Sequence, residues 1–261
     1  MIRWCMYCQR FLGERFPYDS PLISHGICDP CDARAEHDER IIEETEPLRQ
    51  LMTRLLQSAK NGDEHSCLEF TLAAAASGLD VGSICVGLLQ PALYQAGLDW
   101  QGARMSVAAE HRLTAWCERV FAMLPFERPS DGPLDLLLLC APGNAHDLGP
   151  RMAARVLAGR GFRVDVVVPG LPLAEIVDLA RRVRPRAIGF SCAMPTAVTA
   201  AGELITHLRR ALAPDMACRF VLGGFAFRLG PATPPPPVEA DVEIVVDLES
   251  FAAHLTSLRG A

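Results

Sequence analysis

LDLLLLC at residues 134–140, followed at once by APGNAHDLG at residues 141–149, is the stretch of sequence that decides the fold. The first part is an almost continuous apolar run, which is typical of a strand buried on both faces of a parallel sheet. The second part begins as a loop, and a helical pattern starts at Leu148. A buried strand, a loop and a helix in this order form the first unit of an α/β fold.

The same alternation of strand and helix continues to the end of the chain. Apolar runs predict four further strands at residues 163–168, 187–190, 218–222 and 242–246. Helical spacing predicts helices at residues 148–158, 173–183, 197–212 and 248–258. Residues 134–261 are therefore predicted to form a doubly wound, Rossmann-like α/β domain of the flavodoxin-like type, with right-handed crossovers.

The preceding segment, residues 47–126, has a helical pattern throughout and is joined to the α/β domain by a linker at residues 127–133. It predicts a small four-helix bundle, with helices at residues 48–61, 67–76, 81–95 and 107–124. Asp80 and Ser106 are the expected N-caps of the last two helices. Pro91 is expected to kink the third helix, because proline removes a backbone donor.

Two Cys-x-x-Cys pairs lie near the N-terminus and are separated by nineteen residues. Each pair places two thiolates on one side of a tight turn, and zinc prefers four such ligands in a tetrahedron. Because four sulfur ligands leave no open coordination position, we expect a structural zinc site in a small ribbon at residues 1–34. The four expected ligands are Cys5, Cys8, Cys28 and Cys31. His25 is the competing ligand, and a redox role is the alternative.

Composition limits the classes of function. The net charge is −6, so the clustered positive charge that nucleic acid binding needs is not expected. No apolar run reaches the ~20 residues of a membrane span, and the N-terminus lacks the apolar region of a signal peptide. We therefore expect a cytoplasmic protein that binds neither DNA nor a membrane directly. No nucleophile elbow, phosphate-binding loop or carboxylate pair is present, so we do not expect an enzyme.

The C-terminal domain resembles the cobalamin-binding domain shared by methionine synthase, mutases and light-responsive regulators. The matches are His146 and Gly149 after the first strand, Ser191 after the third, and Gly223-Gly224 after the fourth. The resemblance implies that His146 binds cobalt in place of the cofactor's own dimethylbenzimidazole. The serine and glycines would line the displaced nucleotide tail. Asn144 stands where the family commonly has a carboxylate, which implies a weaker histidine donor.

The helical segment carries a second resemblance. Trp100 is followed after nine residues by Glu110-His111, which resembles the motif in the helical cap of CarH-type cobalamin photoreceptors. There the tryptophan and the Glu-His pair face the upper side of the corrin, near the adenosyl group. Gln101 occupies the position at which such photoreceptors can carry a second cobalt-binding histidine.

Taken together, these resemblances predict a cobalamin-binding sensor or regulator that carries adenosylcobalamin and zinc. Light is the expected signal, through photolysis of the upper cobalt ligand. The helix-turn-helix of photoreceptor regulators is replaced by the cysteine-rich segment, so we expect a protein partner such as a transcription factor, as in AerR/PpaA-type antirepressors. The alternatives are a corrinoid protein of a methyl-transfer system and a haem-binding variant of the same domain. The oligomeric state stays open.

Overall fold

The structure is a computed structural model, and it describes residues 1–5, 10–31, 55, 64–76, 78–125, 132–167, 171–213, 216–228 and 241–260. The chain divides into two compact units, Met1–Pro125 and Phe126–Ala261. The first predicted helix of the bundle lies outside the described residues, apart from Leu55, which is fully buried. Most of the linker predicted at residues 127–133 lies outside them as well.

The N-terminal segment forms a three-stranded sheet, with β1 at Ile2–Cys5, β2 at Phe11–Glu14 and β3 at Ile23–Gly26. The central strand β1 pairs antiparallel with β2 and parallel with β3. In β1, Ile2 and Trp4 are buried, as expected for alternate residues on one face of a strand.

The described helices of the first unit are α1 at Glu64–Ala76, α2 at Val81–Ile84, α3 at Gln90–Gln101 and α4 at Val107–Met123. The predicted caps are confirmed. The Asp80 carboxylate accepts from the backbone N–H of Ser83 at 2.6 Å, and the Ser106 hydroxyl accepts from that of Ala109 at 3.3 Å. Phe70 of α1 packs edge-to-face on Trp116 of α4, with ring centroids 5.3 Å apart.

The third predicted helix differs from expectation in two ways. It continues to Gln101, six residues past its expected end. In addition, α2 and α3 are joined by one turn of π-helix at Cys85–Leu89, which we call the π-turn. The π-turn ends just before Pro91, where the backbone N–H of Gln90 donates to the carbonyl of Cys85. The π-turn thus widens the helix next to a residue without a backbone N–H, and the kink expected at Pro91 stays a prediction.

Among the described residues, the segment Val81–Gln101 is the one long and apolar enough to cross a membrane by length and composition. In the most apolar stretch of this segment, 56% is buried inside the protein. The core helix of a globular unit has the same length and composition, so this feature is weak evidence for a span.

The second unit contains a five-stranded parallel sheet, as predicted. Its strands are β4 at Leu136–Cys140, β5 at Val164–Val167, β6 at Ala187–Ser191, β7 at Arg219–Gly223 and β8 at Glu243–Val245. The order in space is β5-β4-β6-β7-β8, all neighbours parallel. Numbered within this unit, that order is 2-1-3-4-5, which is the flavodoxin-like order. The predicted fold class is thereby confirmed.

Helices connect these strands at nearly the predicted positions: α5 at Leu148–Gly159, α6 at Leu173–Val183, α7 at Pro195–Leu212 and α8 at Leu248–Arg259. Apolar side chains fill both faces of the sheet. One layer includes Leu137, Leu139 and Phe190, and the other includes Leu136, Leu138 and Phe251. Burial on both faces explains why β4 has an almost continuous apolar sequence.

A buried carboxylate fixes the amino-terminal end of β4. Asp135 is 3% exposed and accepts two hydrogen bonds from the guanidinium of Arg259, at 2.9 and 2.6 Å. The backbone N–H of Arg163 donates to the same carboxylate at 2.8 Å. Burial raises the pKa of Asp135. The hydrogen bonds from Arg259 and Arg163, together with the charges of Arg259 and Arg186, lower the pKa by more than burial raises it, so the net pKa lies below its usual value.

Candidate functional site

The carboxyl ends of three neighbouring strands lie level with one another. Cys140 of β4 is in register with Ser191 of β6, which is in register with Gly223 of β7. The chain reverses direction across the sheet between β4 and β6, so this edge is the topological switch point where open α/β sheets bind ligands. The structure thus brings together at one edge the three sites that the sequence places after separate strands.

Asn144 connects two of these loops. Its side chain is 4% exposed, and its amide nitrogen donates to the backbone carbonyl of Ser191 at 2.8 Å. This donation fixes the orientation of the amide, so that the oxygen Oδ1 faces the following residues. The backbone N–H of Asn144 donates to the carbonyl of Ala141 at 3.0 Å, which closes the turn after β4.

The orientation of His146 follows from Asn144. The Asn144 oxygen accepts from the backbone N–H of His146 at 3.1 Å and lies 3.1 Å from its ring nitrogen Nδ1. An amide oxygen only accepts, so Nδ1 must carry the proton in this contact. In the neutral form of the ring, the other nitrogen, Nε2, is then the one with the free lone pair. An exposed imidazole held in this tautomer is a suitable metal ligand.

Gly224 shapes the neighbouring loop. Its backbone has φ +107° and ψ −178°, a conformation that is essentially limited to glycine. A Cβ atom here would lie 2.5 Å from the carbonyl oxygen of Cys192. The loop is held by backbone bonds from Cys192 to Gly223 at 2.8 Å and from Ala226 to Cys192 at 3.0 Å. Backbone therefore lies directly against backbone beside Ser191, with no room for a side chain at residue 224.

At Gly149, by contrast, the first turn of α5 faces open space. A Cβ atom built at this position would meet no atom within 4 Å. The start of α5 therefore leaves room for a bulky group to approach the backbone.

The thiols next to this edge are poor competitors for a metal. Burial raises the pKa of Cys140 to about 11, with a smaller contribution from the charge of Asp147. Burial alone raises the pKa of Cys192 to about 12. Both groups are protonated thiols at neutral pH, and a metal prefers the thiolate. The imidazole of His146 is thus the better donor at this edge.

Within the first unit, Trp100 lies at the end of α3 and is 50% exposed. Asp99 stabilises the turn that follows. Its carboxylate accepts from Gln95 at 3.0 Å and from Arg104 at 2.9 Å, and its backbone carbonyl accepts from the N–H of Arg104 at 2.7 Å. A large indole on a rigid turn, left exposed to solvent, is a candidate contact for a ligand.

Glu110 and His111 lie in the first turn of α4. The Glu110 carboxylate accepts from the hydroxyl of Thr114 at 2.9 Å, and its second oxygen lies 3.1 Å from Nδ1 of His111. His111 is exposed, whereas Glu110 is partly buried. The pair is therefore held in a fixed arrangement, with the imidazole accessible from solvent.

Three of the four predicted zinc ligands come together. The sulfur atoms of Cys5, Cys28 and Cys31 lie within 4.8 Å of one another, and all three residues are buried. Cys8 lies outside the described residues. Cys5 ends β1, and the other two follow β3, so the sheet positions the cluster. The spacing and burial fit a tetrahedral metal site.

Comparison with known proteins explains these features. Residues 134–246 match a family model described as "B12 binding domain", and residues 51–124 match a second family model with the same description. Both segments belong to B12-binding domain families. The His146 edge lies in the first B12-binding domain, and Trp100, Glu110 and His111 lie in the second. The expected resemblance to CarH-type cobalamin-binding regulators is confirmed at this level.

Two curated relatives come from Myxococcus xanthus. The HTH-type transcriptional repressor CarH is 26% identical over 125 residues, and the HTH-type transcriptional repressor CarA is 28% identical over 171 residues. These matches cover 48% and 65% of this chain, and the chain spans only 42% and 56% of the two relatives' own lengths. A solved monomethylamine corrinoid protein of Methanosarcina barkeri shares the fold, with a TM-score of 0.60 at 16% identity. The match covers 81% of this chain and 97% of that protein.

Two contributors to these sites were not predicted. The backbone of Cys192, which packs on Gly224, gives no sequence signal because the contact joins separate loops. Trp4 is fully buried against the π-turn, although the sequence shows it only as a neighbour of a cysteine. An aromatic residue on a strand next to a candidate metal ligand, Cys5, was the available signal.

Proposed function

We propose that this protein is a cobalamin-binding regulator in which His146 is the lower cobalt ligand. The observation that carries the proposal is the hydrogen-bonded chain from Ser191 through Asn144 to Nδ1 of His146, which presents Nε2 at the carboxyl edge of a B12-binding domain. The residues fit a corrinoid, since an exposed imidazole whose Nδ1 is held by Asn144 can offer Nε2 to cobalt. The open space at Gly149 leaves room for a bulky group close to the backbone.

Adenosylcobalamin is the proposed form of the cofactor, and it would supply a light-sensitive cobalt–carbon bond. Trp100 would then pack on the upper ligand, with Glu110 and His111 at its polar edge. The half-exposed indole and the fixed Glu110–His111 pair support this role. Gln101 offers no imidazole beside Trp100, whereas the exposed ring of His111 could offer one to cobalt.

Regulation through a protein partner is the proposed output, in the cytoplasm, without catalysis. The support is the similarity to two proteins named as transcriptional repressors. The net charge of −6 favours a protein partner over direct contact with DNA. A partner such as a transcription factor would read the state of the cofactor.

Zinc is the proposed metal of the cysteine cluster. Three buried sulfur atoms within 4.8 Å of one another support it, and Cys8 is the expected fourth ligand. A structural zinc ion at such a cluster would contribute folding free energy directly. One equivalent of zinc in the purified protein is the expected result of metal analysis.

The test is an absorption titration of the purified protein with adenosylcobalamin, on wild type and His146→Ala, before and after green light. We expect the wild type to show a base-off, histidine-ligated spectrum that changes on illumination, and the variant to lose the histidine ligation. Identical spectra and affinities in the two proteins would remove His146 from the site. A haem-type spectrum of the purified protein would favour the haem variant. A methyl-transfer role would be favoured by a photostable corrinoid whose methyl group passes to a thiol acceptor.

A further inference from the structure

The cysteine ribbon is packed directly on the helix that carries Trp100. The indole of Trp4, next to Cys5 on β1, is fully buried, and a Cβ atom added at Gly87 would overlap the Trp4 ring. Gly87 is the middle residue of the π-turn Cys85–Leu89, and all five residues of that turn are buried. The indole therefore occupies the space that a side chain at the centre of the π-turn would fill.

Two further contacts hold the same interface. The side-chain amide of Gln90, the first residue of α3, donates to the carboxylate of Glu14 on β2 at 2.7 Å. Phe11 of β2 packs edge-to-face on Trp4, with ring centroids 5.5 Å apart. Among the residues that the structure describes, the buried indole N–H of Trp4 has no hydrogen-bond partner. A buried N–H without a partner is costly, so shape and apolar packing must fix the ring in this position.

The π-turn determines which way Trp100 points. A π-turn adds one residue to a helix, and each residue of an α-helix turns the chain by roughly 100°. Restoring regular α-helical bonding between α2 and α3 would rotate every side chain of α3 by about that angle. Trp100 lies on α3, eleven residues after the π-turn, so its direction depends on whether the turn is kept.

We infer that the ribbon is a metal-dependent brace: Trp4, held in place by the cysteine cluster, keeps the π-turn open and so sets the direction of Trp100. The inference rests on the proposed role of Trp100 at the upper ligand. The ribbon then controls cofactor binding from within its own unit, and loss of its metal weakens the contact to the adenosyl group. The cysteine cluster thereby couples metal supply to cofactor affinity.

The first arm of the test uses full-length protein without cofactor. Hydrogen exchange of residues 85–101 is compared in wild type, Trp4→Ala, Gly87→Ala and the double variant. Trp4→Ala should exchange at least about tenfold faster in this segment, while core amides of α4 and the zinc content stay unchanged. Phe16→Ala, at a ribbon side chain that is 67% exposed, is the matched control and should match the wild type.

The double variant separates this contact from general destabilisation. Gly87→Ala alone should speed exchange, because its methyl group meets the indole. In the Trp4→Ala background the same change should slow exchange, since no ring is left to meet and alanine favours helix over glycine. Additive effects of the two substitutions would overturn the brace. Gly87→Ala also keeps the test decisive if Trp4→Ala does not fold, because exchange at wild-type rates in Gly87→Ala would overturn it as well.

The second arm measures affinity for two cobalamins. Trp4→Ala and removal of the metal by a chelator should each weaken adenosylcobalamin binding about tenfold and leave hydroxocobalamin binding within about twofold, as Trp100→Ala should. Equal loss for both cobalamins, or no loss for either, would overturn the link to Trp100. Failure of the wild type to bind any cobalamin would instead overturn the proposed function, and the exchange arm would still decide whether the brace exists.

Discussion

Replacing Asn144 with alanine tests the candidate site most directly. The substitution removes three hydrogen bonds, two accepted from His146 and one donated to the carbonyl of Ser191. The two bonds to backbone groups contribute about 2 kcal/mol to the free energy of unfolding, at about 1 kcal/mol each. The bond to Nδ1 holds the ring, and loss of such a partner typically weakens metal binding about 10- to 100-fold.

The measurement is an absorption titration with adenosylcobalamin, together with urea denaturation of the cofactor-free protein. We expect Asn144→Ala to bind about 10- to 100-fold more weakly and to have a lower denaturation midpoint. Wild-type affinity in a correctly folded variant would refute the idea that Asn144 orients the cobalt ligand. Lower stability with unchanged affinity would reduce Asn144 to a structural residue.

Asn144→Asp is the informative control because it keeps the shape of the side chain. One carboxylate oxygen can still accept from His146, but the other replaces the amide nitrogen that lies 2.8 Å from the carbonyl oxygen of Ser191. Two oxygens at this distance need a proton between them. The ionised carboxylate repels the Ser191 carbonyl but is a stronger partner for His146 than the amide. We expect Asn144→Asp to lose stability as the pH rises and the carboxyl group loses its proton, and to bind the cofactor at least as tightly as the wild type. A stability that does not change with pH relative to the wild type would contradict this geometry.

Three further predictions concern the second unit and the upper ligand. Gly224→Ala should lower the free energy of unfolding by about 3 kcal/mol, because the backbone is strained for alanine and the new Cβ overlaps Cys192. Gly202→Ala on α7 is the control, since a Cβ there meets open space, and it should not lower the stability in this way. Equal melting temperatures of the two variants would contradict this prediction. Asp135 has a lowered pKa, so its contribution to stability is present above its usual pKa near ~3.9 and lost as the pH falls through the lowered value. Asp135→Asn should therefore lower the free energy of unfolding by about 3 kcal/mol at neutral pH. It should also reduce the loss of stability at acid pH, and an unchanged loss would show that Asp135 does not contribute to it. Trp100→Ala should weaken binding of adenosylcobalamin but not of hydroxocobalamin, and equal affinities of variant and wild type for adenosylcobalamin would remove the indole from the upper face.

The α/β unit could be predicted closely because its signals are local. The helix Leu173–Val183 begins and ends where the sequence predicts, and each strand is within two residues of its predicted bounds. Burial on both faces gives β4 its continuous apolar run, and this pattern separates it from amphipathic helices. The level ends of β4, β6 and β7 follow from parallel pairing, so the three candidate ligand loops could be placed at one edge in advance.

The remaining features depend on contacts between distant parts of the chain. The sequence around Pro91 predicts a disturbed helix, but it does not show that the π-turn packs against Trp4, more than eighty residues away. The sequence shows that residue 144 is an amide and not a carboxylate. It does not show the hydrogen bond that the Asn144 side chain donates to Ser191, because the two residues are 47 positions apart. Local patterns predict elements, whereas the packing of one loop on another needs coordinates.

The two ends of β4 have separate tasks. Asp135 precedes the strand and anchors it through Arg259, and Cys140 ends the strand beside the loop of His146. Five residues of a strand at ~3.3 Å each place these ends roughly 16 Å apart, beyond the distance at which substitutions usually interact. Changes at the two ends should therefore be additive in free energy. The domain could therefore be stabilised by substitutions near Arg259. Such a domain could carry substitutions beside His146 that the natural domain would not tolerate.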